Sequence, residues 1–180
     1  MQNLEYRFYG LVPYNISPIQ QGIQYGHAKD EYLIEILDIL LDDGRVHDEE
    51  SRKIAKVFLK WLREDKTYII LNGGTTNTNP ERLGTLNKHA IILKELGVMT
   101  ASFHEPDLGD QLTAVVFIVD ERVFNRTKYP DYNGGYVSNF IETKPIEEQY
   151  QNWKNQFSGT PENVEKILSL RSFLSQFKLA

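Results

Sequence analysis

The sequence predicts an α/β fold, a three-layer α/β/α sandwich around a four-stranded mixed sheet, followed by a helical C-terminal extension. Three observations predict it. Short runs of β-branched and aromatic residues alternate with longer amphipathic stretches in the order β-α-α-β-α-β-β. The last two apolar runs are separated only by Pro106-Asp-Leu-Gly-Asp110, so they form a hairpin and the sheet is mixed. Beyond residue 124 the pattern breaks into loop chemistry and then helices. Residues 1–124 are therefore expected to form the α/β domain, and 125–180 a loop and helical extension packed on it.

The elements follow in order. Residues 5–14 are rich in aromatics and β-formers and read as a strand that Pro13 ends. Ser17-Pro18-x-Gln20 is a capping box with proline in the first helical position. The helix it starts runs to about Leu41, with Ile23, Tyr32, Ile34, Ile36, Leu37, Leu40 and Leu41 as its apolar face. Asp42-Asp-Gly-Arg45 is a turn. Asp48 caps a second helix that runs to about Arg63, with Ile54, Val57, Phe58, Trp61 and Leu62 inward. Tyr68–Leu71 is a continuous apolar run, as in a buried strand. A third helix, about Leu83–Leu96, ends at Gly97 as its C′ residue. Val98–Phe103 and Leu112–Val119 are the last two strands. The extension contributes helices at about 146–157 and 161–177, the second capped by Thr160.

Composition excludes some functions. The chain of 180 residues has no cysteine, which rules out disulfides, thiolate catalysis and cysteine-bound zinc, and favours a cytoplasmic location. No apolar run approaches the roughly 18 residues that span a bilayer, and Met1–Glu5 begins no signal peptide, so no membrane role is expected. A net charge of −5 argues against a protein that coats nucleic acid. Arg52, Lys53, Lys56, Lys60, Arg63 and Lys66 read as a solvated helix face balanced by Glu49, Glu50, Glu64 and Asp65.

Two segments concentrate polar groups where strands end, which is where ligands bind in open α/β sheets. In the first, Gln20, Gln24 and His27 share one face at the start of the first helix. They are expected to bind substrate together with Ser17; the structural alternative is a cap, a surface glutamine and a packed histidine. In the second, His104, Glu105 and Asp107 cluster at the hairpin tip, ahead of Thr113. A carboxylate there is suited to orient a histidine, to act as a general base or to bind a cation; the alternative is a solvated turn. The types include metal ligands, but without ligand spacing no metal is expected. Asn72-Gly-Gly-Thr-Thr76 cradles phosphate or is simply a flexible loop. It is neither a Walker loop nor a dinucleotide fingerprint, and no cofactor is expected.

Taken together, Gln24-Tyr-Gly-His27-Ala28 in the first helix and Glu105-Pro-Asp107 with Thr113-Ala114 later in the chain resemble the type II peptidyl-tRNA hydrolase family, over residues 6 to about 119. The Phe103-x-Glu-Pro-Asp-Leu108 segment and the ending Leu170–Ala180 resemble a divergent, often phage-encoded branch. The turn Ile16–Gln20 has no lysine where the family's enzymes carry one. The resemblance implies a hydrolase of a peptidyl- or aminoacyl-nucleotide ester with the tRNA 3′ end as substrate. Glu105 or Asp107 would orient water, Thr113 would assist, and Gln24 and His27 would hold the substrate. The alternative is a non-catalytic protein of the same fold that binds a nucleotide, such as a phage sponge for a signalling nucleotide, or assembles as a homo-oligomer.

Overall fold

The computed structural model describes residues 4–41, 47–131, 151, 153–155, 157 and 161–180. The expected turn at 42–45, most of the helix at 146–157 and the Thr160 cap lie outside these residues. The chain divides into two compact units, Met1–Val119 with Phe177–Ala180, and Asp120–Gln176.

The first unit is mixed α/β. Its elements are β1 (Tyr6–Pro13), α1 (Pro18–Leu41), α2 (Glu49–Lys60), β2 (Thr67–Gly74), α3 (Thr85–Glu95), β3 (Thr100–Glu105) and β4 (Gln111–Asp120). The four strands form one open sheet in the order β2-β1-β4-β3. β1 pairs parallel with β2, and β3 pairs antiparallel with β4, so the sheet is mixed. β1 and β4, the two central strands, are buried along nearly their whole length. The outer edge of β2 is partly covered from the far end of the chain. Asn72 N donates to Lys178 O and Ala180 N to Ile70 O, both at 3.0 Å. Pairing of this kind blunts an exposed strand edge.

Phe8, fully buried on β1, is the centre of the core. Its ring meets Tyr32 of α1 at 5.1 Å, Phe58 of α2 at 5.7 Å and Trp61 at 4.8 Å between centroids. Such edge and offset contacts add to the large area that each ring buries. The Trp61 indole is not left unsatisfied; its Nε1 donates to Thr67 O at 3.1 Å. Trp61 begins a π-helical turn, Trp61–Asp65, in which α2 ends, so this helix stops sooner than its sequence predicts. Gly10 gives Tyr25 its place: a Cβ there would lie 2.2 Å from the Tyr25 ring. The Tyr25 hydroxyl donates to Phe8 O at 3.0 Å. Leu86 of α3 instead packs beside Leu11, next to Gly73.

The buried face of α1 differs from the expected one. Gln24, Tyr25, Ala28, Tyr32 and Ile36 point inward. Ile23, Ile34, Leu37, Leu40 and Leu41 are exposed, Leu41 by 75%. Of the seven residues assigned to the core face only Tyr32 and Ile36 are buried there. On a helix of 24 residues the sequence supplies two apolar stripes, and the sheet takes the one that brings aromatic rings to Phe8.

In the second unit, Asp120 caps the short helix α4 (Glu121–Phe124), accepting from Arg122 N at 2.9 Å. The helix α5 spans Pro161–Ser175. Arg171 on α5 is 3% exposed and fully engaged. It donates to Arg122 O, to Tyr129 O at 2.6 Å and to Asp131 at 2.7 Å, and lies over the Phe157 ring. A buried guanidinium is tolerated only with such pairing. Within this unit the Phe157 ring meets Tyr129 at 5.9 Å and Trp153 at 5.0 Å between centroids.

Two predictions test this arrangement. Ile36→Ala is expected to cost about 2–5 kcal/mol, and Ile34→Ala no more than about 0.5 kcal/mol, in urea unfolding. Glu35, beside them, has its pKa raised from 4.5 by burial and then by Glu31 and Asp38. A carboxyl with a raised folded-state pKa favours folding while protonated and opposes it once pH rises through that value. Glu35→Gln is therefore expected to raise the urea midpoint at neutral pH, with the gain fading as pH falls toward about 4.

Candidate functional site

The capping box forms at the start of α1. Ser17 N and Ser17 Oγ both donate to Gln20 Oε1 at 3.0 Å, and Gln20 N donates back to Ser17 Oγ at 3.3 Å. This fixes the angle at which α1 leaves β1 and presents Gln24 to the β3–β4 hairpin.

At the hairpin the ladder slips. Phe103 pairs with Ala114, but His104 pairs with Leu112, so Thr113 is an extra residue on β4. Ala114 and Val116 pack into the core with Phe8. In an unbroken strand Thr113 would face the opposite side, because side chains alternate. The bulge turns it toward α1 instead. The tip after Glu105 is a 3₁₀ turn, Pro106–Leu108, closed by Gly109 at φ 67°.

These elements meet in a cavity of about 180 Å³ lined by Ile16, Gln20, Gln24, Glu105, Asp107, Leu108 and Thr113. Gln24, 8% exposed, and Thr113, fully buried, are the buried polar groups of the wall. Gln24 Nε2 donates to Glu105 Oε2 at 2.7 Å. Its Oε1 accepts from Thr113 Oγ1 at 2.6 Å. The three side chains form one hydrogen-bonded chain across three elements. The lining contains two carboxylates and no Lys or Arg.

Five of the seven residues read from sequence as a site thus line one cavity. Ser17 and His27 do not. Ser17 is consumed by the cap, and the exposed His27 ring stacks on Phe103 at 4.5 Å. Ile16 and Leu108 were missed. Leu108 had a signal in the sequence, an apolar residue within the polar turn Pro106-Asp-Leu-Gly-Asp110.

The Asn72–Thr76 loop does not present a phosphate cradle. Gly74 N donates to Asn72 Oδ1 at 2.9 Å and Thr75 N to Thr85 Oγ1 at 2.8 Å. The N-terminus of α3 is occupied as well: Thr85 N donates to Thr75 Oγ1 and Leu86 N to Thr75 O. Gly74 sits at φ 91°, and a Cβ there would lie 1.9 Å from Thr85 Oγ1, so the close approach of loop to helix requires glycine. Among the described residues no group of three or more His, Asp or Glu side chains is placed to hold a metal ion, and no helix is long and apolar enough to cross a membrane.

No family model matches the sequence, and no curated protein matches it.

Thr113→Val keeps the shape of the side chain and removes the donor to Gln24 Oε1. A buried acceptor left without its donor is expected to cost about 1–3 kcal/mol in urea unfolding. In a Gln24→Leu background the same substitution is expected to cost less, because the acceptor is gone.

Proposed function

We propose that this protein hydrolyses an ester linking a peptidyl or aminoacyl group to a nucleotide, with Glu105 as general base and the tRNA 3′ end as the natural carrier. The observation that carries the reading is the Thr113–Gln24–Glu105 chain along the cavity wall. Gln24 engages one carboxylate oxygen, Oε2, and holds the group in place. The other oxygen is left to take a proton from water in the cavity. The water oxygen adds to the ester carbonyl, the bond to the ribose oxygen breaks, and the proton passes from Glu105 to that leaving oxygen. Asp107 and Gln20 would flank the acyl group.

Cavity size and charge agree with this division of the substrate. About 180 Å³ is below the roughly 300–1,000 Å³ of sites that enclose a drug-sized ligand, so only the acyl end enters. Phosphates, with no Lys or Arg in the lining to meet them, remain outside. The strand order and the position of Gln24 and Glu105 on the first helix and the last hairpin are in keeping with a peptidyl-tRNA-hydrolase-like α/β/α sandwich. Such a reaction belongs in the cytoplasm.

A second reading is a binding protein that has kept the cleft and dropped the chemistry. One observation favours it: no Lys, Arg or His lines the cavity, so no charged donor there faces a tetrahedral oxyanion. As a nucleotide sponge it would have to hold phosphates elsewhere.

Hydrolysis of a peptidyl-tRNA and of the corresponding aminoacyl-tRNA by the purified protein tests the proposal. Glu105→Gln/Asp107→Asn is expected to lower turnover by about 10²–10⁴-fold, the span of general base catalysis. Asp107 is exposed, and a glutamine at the part-buried position 105 keeps an oxygen that can accept from Gln24 Nε2, so the melting temperature should move little. Turnover of both substrates that is no higher in the wild type than in the variant would sink the hydrolase.

A further inference from the structure

We infer that the cavity selects an acyl group with a free ammonium, so that the substrate of the proposed reaction is an aminoacyl ester rather than an N-blocked peptidyl ester. The inference rests on the hydrolase reading for the ester, but not for the charge preference.

The argument is a count of donors and acceptors at the wall. Gln24 would normally offer an amide N–H and a carbonyl to a ligand. Here its Nε2 is turned to Glu105 and its Oε1 is taken by Thr113. Thr113 has a single proton and gives it to Gln24 at 2.6 Å in preference to Phe103 O at 3.3 Å. Gln20 Oε1 is held by Ser17. The remaining polar capacity is the second oxygen of Glu105 and the Asp107 carboxylate as acceptors, against the second proton of Gln24 Nε2 and the Gln20 amide nitrogen as donors. Carboxylates accept only. Among the described residues neither Glu105 nor Asp107 is paired with a Lys, Arg or His. The wall is therefore rich in acceptors, negatively charged and uncompensated.

An ammonium brings three donors and no acceptor, and matches this wall. An acylated nitrogen brings one N–H and a carbonyl oxygen, which the carboxylates repel. Ile16 and Leu108, the two apolar lining residues, then face the side chain of the amino acid. A cavity of about 180 Å³ leaves room for one amino-acid side chain, not for a peptide.

Calorimetry with two amides that cannot be hydrolysed tests this. One is adenosine carrying phenylalanine through a 3′-amide; the other is the same compound acetylated on the α-nitrogen. At pH 6.5 the free α-amine, with an ordinary pKa of about 7.7–8.0, is charged. The free amine is expected to bind about ten-fold more tightly, the scale of two partly solvated ion pairs, and the ratio to fall toward one in Glu105→Gln/Asp107→Asn. That result supports the inference even if the corresponding esters are not cleaved, in which case only the hydrolase falls. Equal or tighter binding of the acetylated compound overturns the inference, whatever the ester assay gives. So does a preference that survives in the double variant, or no binding of either compound.

Discussion

The amide of Gln24 has one orientation open to it, and much of the site depends on that. An ionised carboxylate can only accept, so the Glu105 oxygen 2.7 Å away must face the Nε2 end. Oε1 is thereby turned to Thr113, and the hydroxyl, 2.6 Å away, must donate. Reversing the amide would place carbonyl against carboxylate, in a wall too buried for water to relieve it. One charge on β3 therefore fixes the direction of every proton in the chain. It also ties residues separated by 81 and 89 positions in sequence into one cluster. The helix, the hairpin and the bulge meet where they do because a buried amide has to be satisfied at both ends.

That requirement explains why the polar residues of the site were legible in the sequence. Gln24 and Thr113 stand inside segments that otherwise build a core, and Glu105 and Asp107 bracket a proline at a strand end. Their types are wrong for packing and right for a cleft. The parity of Thr113 was not legible. Counted along β4 it shares a side with Val115 and Phe117, away from Ala114 and Val116, which pack with Phe8. Only the slip between Phe103 and His104 returns it to α1, and nothing in Gln111-Leu-Thr-Ala114 announces a bulge.

The inward face of α1 failed for a different reason. The most hydrophobic stripe, with Ile23, Ile34, Leu37 and Leu41, lies outward. The inward stripe is Gln24, Tyr25, Ala28, Tyr32 and Ile36, poorer in aliphatic residues. Periodicity finds the stripe of greatest hydrophobicity, whereas packing selects the stripe of greatest complementarity. Phe8, Phe58 and Trp61 ask for rings and for the small Ala28, and Gly10 leaves the hollow that the Tyr25 ring fills. Choosing that stripe also places Gln24 at the hairpin. Had Ile34 and Leu37 turned inward, Gln24 would have turned with the helix and left Thr113 and Glu105 apart.

Core and site are thus not separate designs. The rotation of α1 about its axis is set at one end by the capping box and along its length by the rings around Phe8. The same rotation delivers the amide to the carboxylate. A long helix held at both places has little freedom to pivot, so the cavity wall it forms is rigid. A rigid wall suits either chemistry or recognition, and its acceptors point the same way in both. The difference rests on whether a water can stand between Glu105 and a carbonyl carbon, and the orientation of Gln24 leaves one oxygen of that carboxylate free to hold it.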